Sequence, residues 1–185
     1  MTHEGEALLE RTLAAADKDV ETVTPRGRPV ATPTHGVRTR PLTTLVDDRG
    51  TLTELFDPRW EFDELPITYA YAFTVRPGVV KGWGLHEHHE DRYVLLSGRV
   101  DLLLYDVRPD SPTRGQLHRI SLNEHHRKLV SIPAFVWHAD HNVGDTEAVI
   151  LNFPTRPYDH ASPDKHRLPI DTPLIPYDFG AARGG

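Results

Sequence analysis

The sequence predicts an all-β protein, and a jelly-roll β-barrel with a ligand cavity fits it best. Short β-forming stretches recur over most of the chain, with turn residues and almost no helical pattern between them. Val79–His88 predicts a strand in which Gly84, His86 and His88 share one face, with Lys81 on the other unless a bulge intervenes. Imidazoles beside a glycine indicate a polar cavity. The alternative is an exposed edge strand with solvated histidines.

Composition narrows the class of protein. The chain has 185 residues, 38% of them hydrophobic, and a net charge of -6, which suits one soluble domain and argues against nucleic-acid binding. Cysteine is absent, which excludes disulfides, thiolate catalysis and cysteine zinc sites. We expect no membrane partner and a cytoplasmic location, because no apolar run approaches the roughly 20 residues of a membrane span and no signal-peptide pattern is present.

The N-terminal part is predicted to differ from the body. Gly5–Asp19 has the leucine spacing of a short amphipathic helix, and Val20–Pro41 is too rich in proline for a regular helix. We therefore expect a helical flank and an extended, partly flexible arm over residues 1–35, followed by a barrel domain over residues 36–180.

Nine stretches are predicted as the strands of that barrel. They alternate in hydrophobicity or are rich in β-branched and aromatic residues, and turn residues bound them. In chain order they are Thr51–Phe56, Ile67–Val75, Val79–His88, Asp91–Leu96, Arg99–Val107, Gln116–Ser121, Lys128–Ile132, Val136–Asn142 and Ala148–Phe153.

Six short motifs follow one another in an order that is itself informative. They are D-R-G-x-L-x-E at 48–54, G-V-V-K-G-W at 78–83, D-V-R-P-D-S-P-T-x-G at 106–115, I-P-x-F-x-x-H at 132–138, N-x-x-T-x-x-Y at 152–158 and D-T-P at 171–173. Together they resemble the motifs of the dTDP-4-dehydrorhamnose 3,5-epimerases, which are RmlC-like cupins, over roughly Gly36–Tyr177. The resemblance implies a cupin fold, a dTDP-sugar or similar small-molecule substrate, and a homodimer in which an N-terminal strand reaches the neighbouring subunit.

The chemistry implied by this resemblance is proton abstraction next to the ketone of a 4-keto nucleotide sugar, without a metal. It needs a base and an opposed acid. Aligned without gaps, the family's base histidine falls on Gly84 and its acid tyrosine on Asn152, and neither can transfer the proton. We therefore expect an epimerase-like or isomerase-like enzyme that is not an ordinary 3,5-epimerase and that exchanges at one carbon at most.

The candidate site residues follow from the remaining matches. His86 is the best remaining base. The predicted catalytic residues are His86, His138, Asp171 and Tyr158, with Asp171 orienting the base and Tyr158 as the phenolic acid. The predicted substrate contacts are Arg49, Glu54, Lys81, Gly84, Arg92 and Asn152.

Two other classes of function stay open. His86, His88 and His138 resemble the broader cupin pattern H-x-H…H, with Asp91 near its acidic position. Such ligands suit divalent iron, manganese, nickel or zinc, so the second reading is a metal-dependent cupin enzyme. The third is a non-catalytic homologue that binds nucleotide sugars.

Overall fold

The computed structural model describes residues 3–27, 30 and 33–185. By its contacts the chain divides into two units, 1–32 and 33–185. In the first, helix α1 covers His3–Ala15, which confirms the predicted helix with a shorter C-terminal end. Part of the predicted arm, residues 28–29 and 31–32, lies outside the described residues, so its flexibility stays a prediction.

Two sheets form the body, with strands numbered in chain order. The first has the order β1 (Arg38–Pro41), β9 (Lys128–Ile132), β6 (Asp91–Ser97), β11 (Ala148–Asn152) and β4 (Tyr71–Val75). The second has the order β12 (His166–Arg167), β5 (Val79–Leu85), β10 (Val136–Asn142), β7 (Arg99–Asp106) and β8 (Leu117–Asn123), with β13 (Arg183–Gly184) parallel to β5. β2 (Thr44–Asp47) and β3 (Gly50–Thr53) make a separate hairpin, and Pro58–Trp60 is a 3₁₀ turn.

The apolar side chains between the sheets confirm the predicted jelly-roll barrel. One buried cluster takes members from both sheets, which places the main core in the barrel interior. Its residues are Val75, Tyr93, Leu95, Val100, Leu102, Leu104, Ile120, Leu122, Val130, Ile132, Val136, Ala148 and Ile150. Among the described residues, no helix is long and apolar enough to cross a bilayer.

The C-terminal tail covers the outer face of the second sheet. Ile175 and Phe179 pack with the outward side chains Val80, Trp83 and Leu103. The tail is therefore part of the folded body, and its short strand β12 pairs with the edge of β5 next to Gly84.

A bulge in β5 changes which side chains reach the barrel interior. His138 of β10 pairs with Gly84, but Asp140 pairs with Lys81. Between these two pairs β5 advances by three residues and β10 by only two, so β5 contains one extra residue. The extra residue reverses the alternation. Lys81 and Gly84 consequently line the same cavity, while Trp83 packs on the outer face.

The loop after β7 explains one of the sequence motifs. The buried carboxylate of Asp106 accepts hydrogen bonds from the Arg108 guanidinium and from the Ser111 and Thr113 hydroxyls. Burial raises the pKa of Asp106, but these hydrogen bonds outweigh it and hold the pKa below its usual value. The D-x-R-x-x-S-x-T pattern therefore serves to fold this loop.

Candidate active site

A cavity of about 170 Å³ opens between the two sheets. Its lining is mostly polar and carries both charges, unlike the apolar core beside it. The residues are Tyr71, Phe73, Lys81, Gly82, Gly84, Tyr93, His138, Asp140, Lys165, Arg167 and Gly185. Such a concave site with converging polar groups is the expected place for a small-molecule ligand.

Lys165 fills the space that the side chain of residue 84 would otherwise take. A Cβ atom placed on Gly84 would lie 3.0 Å from Lys165 Cε and 3.3 Å from Lys165 Nζ. Lys165 immediately precedes β12, whose Arg167 pairs with Gly84. The tail thus delivers a primary amine to the cavity at the position where the sequence lacks a side chain.

Three imidazoles surround the carboxylate of Asp91, which begins β6. Nε2 of His86 and Nε2 of His138 each lie 3.4 Å from Asp91 Oδ2, and Nε2 of His89 lies 3.6 Å from Asp91 Oδ1. His86 and His89 follow β5, whereas His138 belongs to β10. His86, Asp91 and His138, which are all buried, could hold a metal ion, since their ligand atoms lie within 4.8 Å of one another.

The charges in this cluster follow from burial and contacts. Burial raises the pKa of Asp91, but the imidazoles of His86, His89 and His138 outweigh it and lower that pKa well below its usual value. Asp91 is therefore a carboxylate at neutral pH. Burial lowers the pKa of His138 to about 4, so its ring is neutral.

Asn152 connects this cluster to Tyr71 in the lining of the cavity. Its amide Nδ2 donates to Asp91 Oδ1 at 2.7 Å and to the Tyr71 hydroxyl at 2.9 Å. Tyr71 and Asn152 are direct partners across β4 and β11. Burial, and next the charge of Asp91, raise the pKa of Tyr71 to about 12, so its phenol keeps its proton.

Two further titratable groups in the cavity have pKa values shifted from the usual ones. Burial lowers the pKa of Lys165, although Asp91 and Asp140 oppose this effect. Burial also raises the pKa of Asp140 to about 7. Asp140 can therefore exchange a proton near neutral pH, and burial favours the neutral amine of Lys165.

Comparisons with known proteins place this arrangement in a family. The family model described as dTDP-4-dehydrorhamnose 3,5-epimerase matches residues 31–176. The chain is 38% identical over 148 residues to the probable low-salt glycan biosynthesis epimerase Agl13 of Haloferax volcanii, covering 80% of this chain and 95% of Agl13. This chain belongs to the dTDP-4-dehydrorhamnose 3,5-epimerase family.

Other relatives agree with that placement. The spore coat polysaccharide biosynthesis protein SpsL of Bacillus subtilis is 30% identical over 148 residues, covering 78% of this chain and 95% of SpsL. A crystal structure of a dTDP sugar isomerase from Desulfovibrio desulfuricans superposes with a TM-score of 0.74 at 26% identity, over 83% of this chain and 96% of that one. The protein is thus an epimerase-like enzyme of the isomerase class, and epimerases of this type generally work without a cofactor.

Some of the predicted site residues of this family member meet at the cavity. Lys81, Gly84 and His138 line it. His86 and Asn152 lie behind the lining and contact Asp91. Long-range strand pairing brings these residues together from β5, β10 and β11.

Other predicted residues are placed elsewhere. His88 and Asp171 are exposed, and Asp171 lies on the C-terminal tail. Tyr158 is also exposed and packs edge-on against His160. The structure therefore does not place Asp171 beside the predicted base His86, and His88 is not among the residues that cluster around Asp91.

The predicted ligand-binding arginines differ from each other. Arg92 is fully buried and points to the outer side of the first sheet, where its guanidinium donates to the carbonyl oxygens of Leu65 and Phe153. Arg49 is exposed on the β2–β3 hairpin and pairs with Asp47, and Glu54 just after the hairpin is exposed as well. In this single chain none of the three lines the cavity.

Several site residues had no sequence signal or only a weak one. Lys165 and Asp164 lie in a proline-rich tail without periodicity, so nothing local indicates that the tail returns to β5. Asp140 and Tyr71 alternate along predicted strands, and that pattern assigns a face but not a cavity. The sequence indicates Asp91 only as a possible acidic ligand of the H-x-H…H pattern.

Proposed function

We propose that this chain acts on a 4-keto-deoxysugar nucleotide, or a related carbonyl compound, by removing a proton from a carbon next to the ketone. The observation that carries the proposal is the position of Lys165. Its amino group stands where the side chain of residue 84 would project, and residue 84 is the position that the family resemblance assigns to the base. The proton would pass from carbon to Nζ of the unprotonated amine, a form that burial of Lys165 favours, leaving an enolate.

An acid that could return a proton to the carbon lies on β4, the strand next to β11, where Asn152 occupies the family's acid position. Tyr71 lines the same cavity and is held by Asn152, its partner across the sheet. Its phenol is protonated and can return a proton to carbon. Lys81 and Arg167, also in the lining, supply positive charge for the enolate oxygen or for a diphosphate. We expect inversion or exchange at one centre rather than the double inversion of an ordinary 3,5-epimerase.

The proposal is tested by incubating the protein with dTDP-4-keto-6-deoxyglucose in deuterated water and following deuterium by NMR. We expect incorporation at one carbon. Lys165→Met should slow it about 100-fold or more, the scale of a lost general base. Lys18→Met, which removes an exposed lysine outside the barrel, should leave the rate unchanged.

Three results would contradict the proposal. Rapid incorporation at both C3 and C5 by the wild type would indicate ordinary 3,5-epimerase chemistry. An undiminished rate of deuterium incorporation in Lys165→Met would show that another group is the base, and His86 would then be the best candidate. Binding of dTDP without any exchange would favour the non-catalytic alternative.

A metal-dependent reaction is the second candidate function, and the histidine cluster around Asp91 favours it. The sequence-based expectation of catalysis without a metal stays a prediction.

A cytoplasmic location also belongs to the proposal, because sugar nucleotides are intracellular metabolites.

The proposal includes a homodimer. The β2–β3 hairpin exposes Leu45, Val46 and Leu52 by 63%, 75% and 59%. Apolar side chains concentrated on one exposed hairpin are typical of a protein–protein contact, and two-fold dimers are the most common assemblies. A second copy would cover them and bring Arg49 and Glu54 to a neighbouring surface.

A further inference from the structure

We propose that His86, Asp91 and His138 form a binding site for one divalent transition-metal ion at the wall of the cavity. The proposal that a metal binds is independent of the proposed reaction. The sequence pattern suggested His86, His88 and His138 as ligands, but the structure replaces the exposed His88 by the carboxylate of Asp91.

Hydrogen bonds fix the tautomers of both histidines. Nδ1 of His86 bonds to the backbone carbonyl oxygen of Asp164, and Nδ1 of His138 bonds to that of Val136 at 3.2 Å. A carbonyl oxygen only accepts, so each Nδ1 carries the hydrogen. When such a ring is neutral, its Nε2 presents a lone pair, which is the form that binds metals.

The two lone pairs converge on one oxygen. Nε2 of His86 and of His138 each lie 3.4 Å from Asp91 Oδ2, and the three side chains are only 8%, 4% and 1% exposed. Neither Nε2 atom has a hydrogen-bond partner in the described part of the chain. Ligand atoms bonded to one zinc-like ion at about 2.0–2.2 Å in tetrahedral geometry lie about 3.3 Å apart. The two Nε2–Oδ2 distances match this value.

A cation between these atoms resolves an otherwise unfavourable contact. The two Nε2 atoms are buried beside this carboxylate without a hydrogen-bond partner in the described part of the chain, and an unpaired buried polar atom costs free energy. A metal ion with nitrogen and oxygen ligands satisfies all three groups at once. The absence of cysteine directs the preference to zinc, manganese, iron, cobalt or nickel bound by imidazole and carboxylate.

Neighbouring residues orient the proposed ligands through hydrogen bonds, as the residues around the ligands do in known metal sites. Asn152 donates to Asp91 Oδ1 at 2.7 Å, which leaves Oδ2 directed at the histidines. The Asp164 carboxylate lies 2.9 Å from Nδ1 of His89, and Nε2 of His89 then faces Asp91 as a fourth possible ligand. Ligating histidines commonly place their other ring nitrogen against a carbonyl or carboxylate in this way.

A metal at this place would be useful to the reaction, and this further step rests on the proposed function. His138 belongs to both the cluster and the cavity lining. A bound cation would therefore lie near a substrate carbonyl and could stabilise the negative charge that develops on its oxygen.

The binding test uses the full chain without substrate. The protein is stripped with a chelator, titrated with Co²⁺ and Zn²⁺, and followed by the visible absorption of bound cobalt and by calorimetry. We expect one ion per chain. His86→Ala and Asp91→Asn should weaken affinity by more than the roughly 10–100-fold that outer-shell changes cost. His88→Ala is the matched control, because His88 lies in the same turn but is exposed, and it should bind as the wild type does.

Thermal unfolding of each variant, with and without Zn²⁺, separates lost binding from lost folding. The ion should raise the Tm of the wild type and of His88→Ala but not that of His86→Ala. Absence of stoichiometric binding by the wild type would overturn the proposal, and so would equal losses in His86→Ala and His88→Ala. Undiminished deuterium exchange by metal-free protein would refute the catalytic role of the ion while leaving the proposed function intact.

Discussion

The cavity wall and the β2–β3 hairpin carry residues that the sequence assigns to one site, yet they are built differently. In the wall, His86 comes from the turn after β5, Asp91 from β6 and His138 from β10, and the three are buried together. On the hairpin, Arg49 is 85% exposed and is paired with Asp47, two residues away. Long-range strand pairing fixes the first group within one chain. Within the described residues, the strands of the hairpin pair only with each other. Its exposed apolar side chains would be buried only by contact with another surface.

The largest effect that sharpens this comparison concerns the two arginines. Arg92→Met should lower the free energy of unfolding by about 3–5 kcal/mol, the scale of breaking a buried charged interaction, because it removes the donors to the carbonyls of Leu65, Pro66 and Phe153. Arg49→Met should change it by less than about 0.5 kcal/mol, as for other exposed sites. Urea unfolding of both variants measures the difference, and equal losses would contradict it.

A smaller effect is expected from a charge on the hairpin. Leu52→Asp should weaken the proposed dimer by about tenfold or more, since burial of a leucine contributes roughly 1.5–3 kcal/mol. Leu174→Asp, at an equally exposed leucine on the tail, is the control. Sedimentation or light scattering over a concentration series reports the mass. A wild-type protein that is monomeric at micromolar concentration would remove the basis of this prediction.

The smallest effect concerns nucleotide affinity. If the hairpin reaches the neighbouring cavity, Arg49→Ala should weaken calorimetric binding of dTDP by about tenfold, near 1.4 kcal/mol. In the Leu52→Asp background, the same substitution should have no further effect, because the arginine no longer reaches the ligand. An equal loss in both backgrounds would indicate a contact within one chain.

A structural position could be predicted where neighbouring residues in the sequence determine it, and not where distant parts of the chain do. The strands Lys128–Ile132 and Val136–Asn142 were predicted to the residue, because their alternation and bounding turns are local features. His86 was singled out from two-residue periodicity, but the bulge in β5 lies between Lys81 and Gly84. Strict alternation consequently put Lys81 on the wrong face for a cavity residue, and no local pattern encodes that extra residue.

The sequence alone determined the all-β class, the order of the strands along the chain and the family, because these rest on periodicity, turn residues and motif order. Only the tertiary structure decided which polar residues meet. Lys165 reaches Gly84 because the tail adds β12 to the edge of β5, and Asp91 faces His138 because β6 and β10 lie in opposing sheets. These contacts join residues about 50 to 80 positions apart in the chain. They depend on the closure of the barrel, which is a property of all the strands together.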